Sequence, residues 1–190
     1  MKKITLLIIA TLILGISTFA SAAEDYSSTI NVFKDSPVSA QYFKTAYGYA
    51  VFPTIGKAGF VVGGSYGVGQ VYRSGKVTGK SSVVEGSIGF QAGGEAFSEI
   101  IFFKDQSAYN EFISGNFEFD LTAQAIVITV GAEAQGGTTG VSAGASAGPK
   151  SAVQANPKYY RGTITFVHPM GGLMYELSLG GQKFSYEAIR

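Results

Sequence analysis

Ala58-Gly-Phe-Val-Val-Gly-Gly-Ser-Tyr-Gly-Val-Gly-Gln-Val-Tyr72 is the stretch whose reading decides the fold. Its even positions run Ala58, Phe60, Val62, Gly64, Tyr66, Val68, Gln70 and Tyr72, and its odd positions Gly59, Val61, Gly63, Ser65, Gly67, Gly69 and Val71. Alternation with a period of two is a strand, and here one face is bulky while the other is nearly bare. Glycine at alternate positions lets a sheet coil sharply or lets another element approach its backbone, as closure of a small barrel requires. Arg73-Ser-Gly-Lys76 then reads as a hairpin turn.

Downstream, Ser82 to Gln91 and Glu95 to Phe103 read as returning strands separated by a Gly93-Gly94 bend, with Val84, Ile88 and Phe90 on one face. Asp105 can cap a helix whose Tyr109, Phe112 and Ile113 share a face and which Gly115 ends. Ala123 to Val130 resumes as a strand. The tract from Gln135 to Pro157 is rich in Gly, Ala, Ser and Thr, with Lys150 its single charge and no aromatic residue, and is expected to be a long mobile loop. Tyr160 to His168 and Leu173 to Leu179 read as closing strands around a turn at Pro169 to Gly172, and Lys183 to Tyr186 ends the sheet.

Upstream, Ile30 and Phe33 sit three apart as on a helix, Ser36 can cap, and Pro37 suits a first helical position. A second short helix is expected to run to about Tyr47, with Val38, Tyr42 and Ala46 on one side and Gly48 as its stop. Phe52, Pro53 and Ile55 then fall in an expected loop. The fold expected is mainly β (α+β): a small antiparallel β-barrel or strongly coiled sheet with short covering helices, in one domain over 23–190. No repeat of fixed period is visible.

The first residues bear on the compartment. Met1-Lys2-Lys3 is a short basic start, Ile4 to Phe19 is mainly apolar, and Ala20-Ser21-Ala22 fits a small-x-small cleavage site. Residues 1–22 therefore read as a secretory signal peptide, an uncleaved N-terminal anchor being the alternative. Export to a bacterial envelope, with a periplasmic mature chain from about Ala23, is the expectation. There is no cysteine, which excludes disulfides, thiolate chemistry, Cys-ligated zinc and a lipid-modified N-terminal cysteine.

Charge is polarised along the chain. Between Asp35 and Glu85 stand five basic residues, Lys44, Lys57, Arg73, Lys76 and Lys80, and no acid. From 85 to 133 there are eight acids against Lys104 alone. Removing Lys2 and Lys3 leaves 14 − 2 = 12 basic residues against 13 acids, so global charge predicts no nucleic-acid partner. A cationic, strand-built surface with few catalytic residue types points to binding an anionic surface.

Several separated blocks carry a resemblance. Gly48-Tyr-Ala-Val-Phe-Pro53, Ile55-Gly-Lys-Ala-Gly-Phe60, Ser87-Ile-Gly-Phe-Gln-Ala-Gly-Gly94, Gly172-Leu-Met-Tyr175 and Gly180-Gly-Gln-Lys-Phe-Ser-Tyr186 stand in an order that resembles the bacterial SYLF domain family. The likeness spans about Ser28 to Tyr186, and the tract from Gln135 to Pro157 adds little to it. It implies a lipid-binding module, since eukaryotic SYLF domains associate with phosphoinositide membranes and, in fungi, with actin-patch machinery. What transfers to an exported bacterial-type protein is binding of anionic phospholipid, with phosphatidylglycerol or cardiolipin as the headgroups an envelope offers.

The residues expected to make that contact are Lys57, Arg73, Lys76 and Lys80. Each contributes about 1 kcal/mol at an anionic surface, or roughly 4 together, strongly weakened by salt. Apolar insertion is needed as well, for which Phe52 and Ile55, or the amphipathic N-terminal helices, are the candidates. The alternative for the four cations is a solvated edge that prevents strand-to-strand aggregation.

Catalytic readings fare worse, and no enzyme activity, metal or cofactor is expected. His168 is the only histidine and precedes Pro169, so neither a His-based triad nor a multi-histidine metal site can be assembled. Glu95 and Glu99 share a strand face and could pair, but solvated or barrel-lining acids are the better reading. Gly75-Lys-Val-Thr-Gly79-Lys80-Ser81 has three residues between its glycines where a phosphate loop needs four, and no helix follows. Gly64, Gly67 and Gly69 do not make a dinucleotide fingerprint. Two rivals remain: an outer-membrane barrel, against which the Arg190 terminus and the helices speak, and a structural envelope protein that binds a protein partner through its acidic stretch.

Overall fold

A computed structural model describes residues 26–59, 62–88, 93–119, 126–129, 141–143, 158–171 and 181–189. The expected signal peptide and the expected strand from Leu173 to Leu179 lie outside the described residues. The elements are α1 (Tyr26–Asp35), α2 (Tyr42–Thr45), β1 (Gly48–Gly59), β2 (Val62–Arg73), β3 (Lys76–Ile88), β4 (Gly93–Phe103), α3 (Gln106–Ile113), β5 (Phe117–Glu118), β6 (Ile126–Thr129), β7 (Val141–Ala143), β8 (Thr163–Gly171) and β9 (Lys183–Ala188). The strands form one sheet in the order β5-β9-β3-β2-β1-β4-β8-β6-β7, antiparallel except where β6 meets β8. It curls into a half-barrel, the strongly coiled sheet with short helices that the alternation predicts.

The central hairpin closes as expected. Ser74 and Gly75 both take left-handed backbone, at φ 51° and 75°, the arrangement whose twist matches that of two paired strands. The bare face of β2 is the inner one: Ser65, Gly67, Gly69 and Val71 are buried, while Tyr66 and Val68 point outward and are exposed. The glycines are bare because β1 leans over them. A Cβ on Gly67 would sit 2.7 Å from Ile55 Cγ1, and one on Gly69 would sit 2.5 Å from the Phe52 ring.

The segment holding Phe52, Pro53 and Ile55 is not a loop but part of β1, which lies between β2 and β4. Pro53 has no N–H to give a ladder, and the pairing skips there on both sides, between Val51 and Thr54 towards β2 and between Phe52 and Ile55 towards β4. This bulge reverses which residues face inward. Before it Ala50 and Phe52 are buried in the concave core; after it Ile55 and Lys57 are buried and Thr54 and Gly56 are exposed.

Both faces of the sheet carry a core. Inside, Phe52, Ile55, Phe97, Ile101, Phe103 and Phe184 pack together, and α3 closes one end with Phe112 4.8 Å from Phe103 and 5.3 Å from Phe184, ring centre to ring centre. Asp105 caps α3 as expected, accepting from the Ala108 amide at 3.1 Å, and Gly115 follows at φ 79°. Outside, α1 and α2 lay Ile30, Phe33 and Tyr42 on Val51, Ile100, Phe102 and Phe166.

Three expected boundaries are corrected. The second helix is only the single turn Tyr42–Thr45, because Ser39 turns inward and donates to the Phe33 carbonyl at 2.5 Å, holding the preceding residues as turns. Pro169 is not in a turn: β8 runs through it to Gly171, and the β4 register shifts between Ala96 and Phe97 to accommodate it. Within the tract expected as a loop, Val141–Ala143 is a strand paired with β6.

Candidate functional site

The expected contact residues divide into two groups. Arg73, Lys76 and Lys80 are exposed around the tip of the β2–β3 hairpin, with the Arg73 guanidinium 5.8 Å from the Tyr109 ring centre. Lys80 faces out between Gln70 on β2 and Glu187 on β9 in the register. Lys57 is not with them. It points into the half-barrel at 8% exposure, since the Pro53 bulge puts odd-numbered residues of β1 inward. Phe52 and Ile55 are fully buried in the inner core and present nothing for insertion.

A different set supplies exposed apolar surface. Tyr66 stands opposite Val84 in the β2–β3 register, and Val68 is the next outward residue along β2. Tyr66 is 59% exposed and Val84 47%, on the part of the outer sheet that α1 and α2 leave uncovered. Val77, near the turn, is also exposed. The even-numbered bulk of the Ala58 to Tyr72 stretch was the available signal, and it needed only the sign of the face.

Inside the half-barrel, away from α3, a polar cluster interrupts the apolar core. Lys57, Ser65 and Glu85 stand in one line of the register across β1, β2 and β3. Lys57 Nζ lies 3.4 Å from Glu85 Oε1, and Ser65 Oγ donates to Glu85 Oε2 at 3.1 Å. Burial raises the Glu85 pKa, while Lys57, Ser65 and Gln182 hold it down. Glu99 of β4 has no exposure and lines the half-barrel, which decides between the solvated and barrel-lining readings left open for it. Gln182 Nε2 donates to Glu99 Oε2 at 3.3 Å. Burial pushes the Glu99 pKa up to about 8; the Gln182 bond opposes the rise and Glu85 adds to it. Ser65 and Glu85 lie in none of the blocks quoted for the family resemblance, Gln182 lies in one without a role read for it, and only the pairing of distant strands brings them together.

No protein-family model matches the chain, and no curated protein matches it. The likeness of its sequence blocks to the SYLF family therefore rests on those blocks. Among the described residues, no helix is long and apolar enough to cross a membrane.

Proposed function

We propose that this chain is a non-enzymatic binder of anionic phospholipid surfaces, exported to the envelope, which docks through the outer face of its β2–β3 hairpin. The observation that carries this reading is the exposed pair Tyr66 and Val84, with Val68 beside it, on the same hairpin as Arg73, Lys76 and Lys80. Tyrosine suits the membrane interface because its ring is apolar and its hydroxyl stays wet. Lys80 faces outward beside Glu187, and Arg73 and Lys76 flank the turn with Arg73 over the Tyr109 ring; these three exposed cations contribute at most roughly 3 kcal/mol at an anionic surface, so the apolar pair has to provide the rest. Tyr66, Val68 and Val84 take over the inserting role that the sequence suggested for Phe52 and Ile55. The family resemblance, with its lipid-binding expectation, leans the same way.

The test is co-sedimentation of the mature chain from Ala23 with phosphatidylcholine vesicles, with and without phosphatidylglycerol or cardiolipin, at low and high salt. Binding confined to anionic vesicles, reduced by salt and by Tyr66→Ser, is the expected result. Absence of binding under every condition would turn the reading to a protein partner in the envelope.

A further inference from the structure

The hydrogen bond between Gln182 and Glu99 joins two walls of the half-barrel that the sheet itself keeps apart. Glu99 lies on β4 and Gln182 immediately precedes β9, and β3, β2 and β1 stand between those two strands in the sheet order. Both side chains have zero exposure. Glu99 Oε1 and Gln182 Oε1 are two of the three buried side-chain polar atoms without a partner among the described residues. Both are acceptors if Glu99 is ionised, and a buried acceptor left unpaired is costly.

One proton on Glu99 removes both deficits, since a carboxylic acid donates as well as accepts. With Gln182 Nε2 donating to Oε2, an O–H at Oε1 is free to be given to Gln182 Oε1, and acid and amide then bond twice. Turning the amide over would set its oxygen against Oε2, and a proton would again be needed between them. Charge counting agrees. Among the described residues, the charge acting on Glu99 is that of Glu85 from β3, itself paired with Lys57 from β1; β8 sets Val167 opposite Glu99, and Glu95 lies four residues earlier on β4, its backbone in register with Lys57. Lys57 neutralises Glu85, so among the described residues an ionised Glu99 would be a negative charge without a cation to compensate it.

We propose that Glu99 carries a proton in the neutral protein and donates it to Gln182 Oε1, forming an acid–amide clasp across the half-barrel that loosens β9 when the proton leaves. The direction in pH follows. Because the folded state holds this proton more tightly than the unfolded chain, the unfolded chain binds fewer protons as pH rises above the ordinary carboxyl value of 4.5. Stability from this group is therefore greatest in acid, falls as pH rises through the interval up to about 8, and is flat beyond it.

Two measurements on the whole protein test the clasp. In the infrared spectrum, a neutral carboxyl band should persist at pH 7 and disappear with a midpoint near 8, and it should be missing from Glu99→Gln. Hydrogen exchange, corrected for the intrinsic effect of pH, should show β9 amides losing at least tenfold protection between pH 6.5 and 9 in the wild type but not in Glu99→Gln. Full ionisation of all carboxyls by pH 6 would overturn the proposal, the two orphan oxygens then being met by buried water. Titration of the band without any change in β9 protection would overturn it equally. If Glu99→Gln does not fold, the wild-type band and the wild-type exchange decide between the same outcomes.

Discussion

The ring of Phe52 lies directly over Gly69, so that a Cβ added at Gly69 would come within 2.5 Å of Phe52 Cδ1 and 2.6 Å of the Val51 carbonyl oxygen. The neighbouring strand, not the conformation of the glycine, forbids a side chain here. A bare β2 backbone lets the large inner residues of β1 fold down onto it, which lets the sheet curl around a phenylalanine core.

Gly69→Val should destabilise the protein by about 1–3 kcal/mol, because Phe52 is fully buried and its displacement must propagate into Phe184, 5.5 Å away between ring centres. Gly75→Ala strains only the turn, where a Cβ would meet nothing within 4 Å, and should cost less. Urea unfolding of the two variants side by side would show the order; equal losses would mean that β1 does not rest on β2 in this way.

Lys57→Ala leaves Glu85 buried without its ammonium partner, and a broken buried pair costs about 3–5 kcal/mol. Lys57→Met combined with Glu85→Leu removes both charges and should recover most of that loss. If instead Lys57 contributed to vesicle binding, the double variant would bind less well than wild type while remaining folded. Thermal unfolding and co-sedimentation on the same samples separate the two roles, and binding at wild-type strength is the expected result.

Lys76→Glu with Lys80→Glu should abolish binding to anionic vesicles while leaving the melting temperature within about 2 °C of wild type. Both residues are exposed, and surface changes of this kind usually move stability by less than about 0.5 kcal/mol. Lys80→Glu also places two acids side by side in the register with Glu187, so any small loss of stability should be relieved by salt. Unchanged vesicle binding by this double variant would remove the hairpin tip from the contact.

Much of the local structure was legible from the residues themselves. The alternation through Val62–Arg73, the left-handed pair at Ser74 and Gly75, and the Asp105 cap with Gly115 behind α3 are each written within a few neighbouring positions. β1 was not legible, because Pro53 reads as a loop residue to any local rule, whereas two flanking strands hold it as a bulge in the middle of the sheet.

The exposed cations Arg73 and Lys76 could likewise be picked out in advance, since a tight turn has nowhere to put them but solvent, whereas the outward direction of Lys80 within β3 is set by strand register. Lys57 could not, because its direction depends on the bulge four residues before it. The pairing of Glu99 with Gln182 spans 83 positions and arises only because the sheet curls until its separated strands face one another. By itself the sequence determined that this chain would form a glycine-bent, mainly β structure with a cationic hairpin. Only the tertiary structure decided which face became the interior, because that choice is made by register and curvature among strands far apart in the chain.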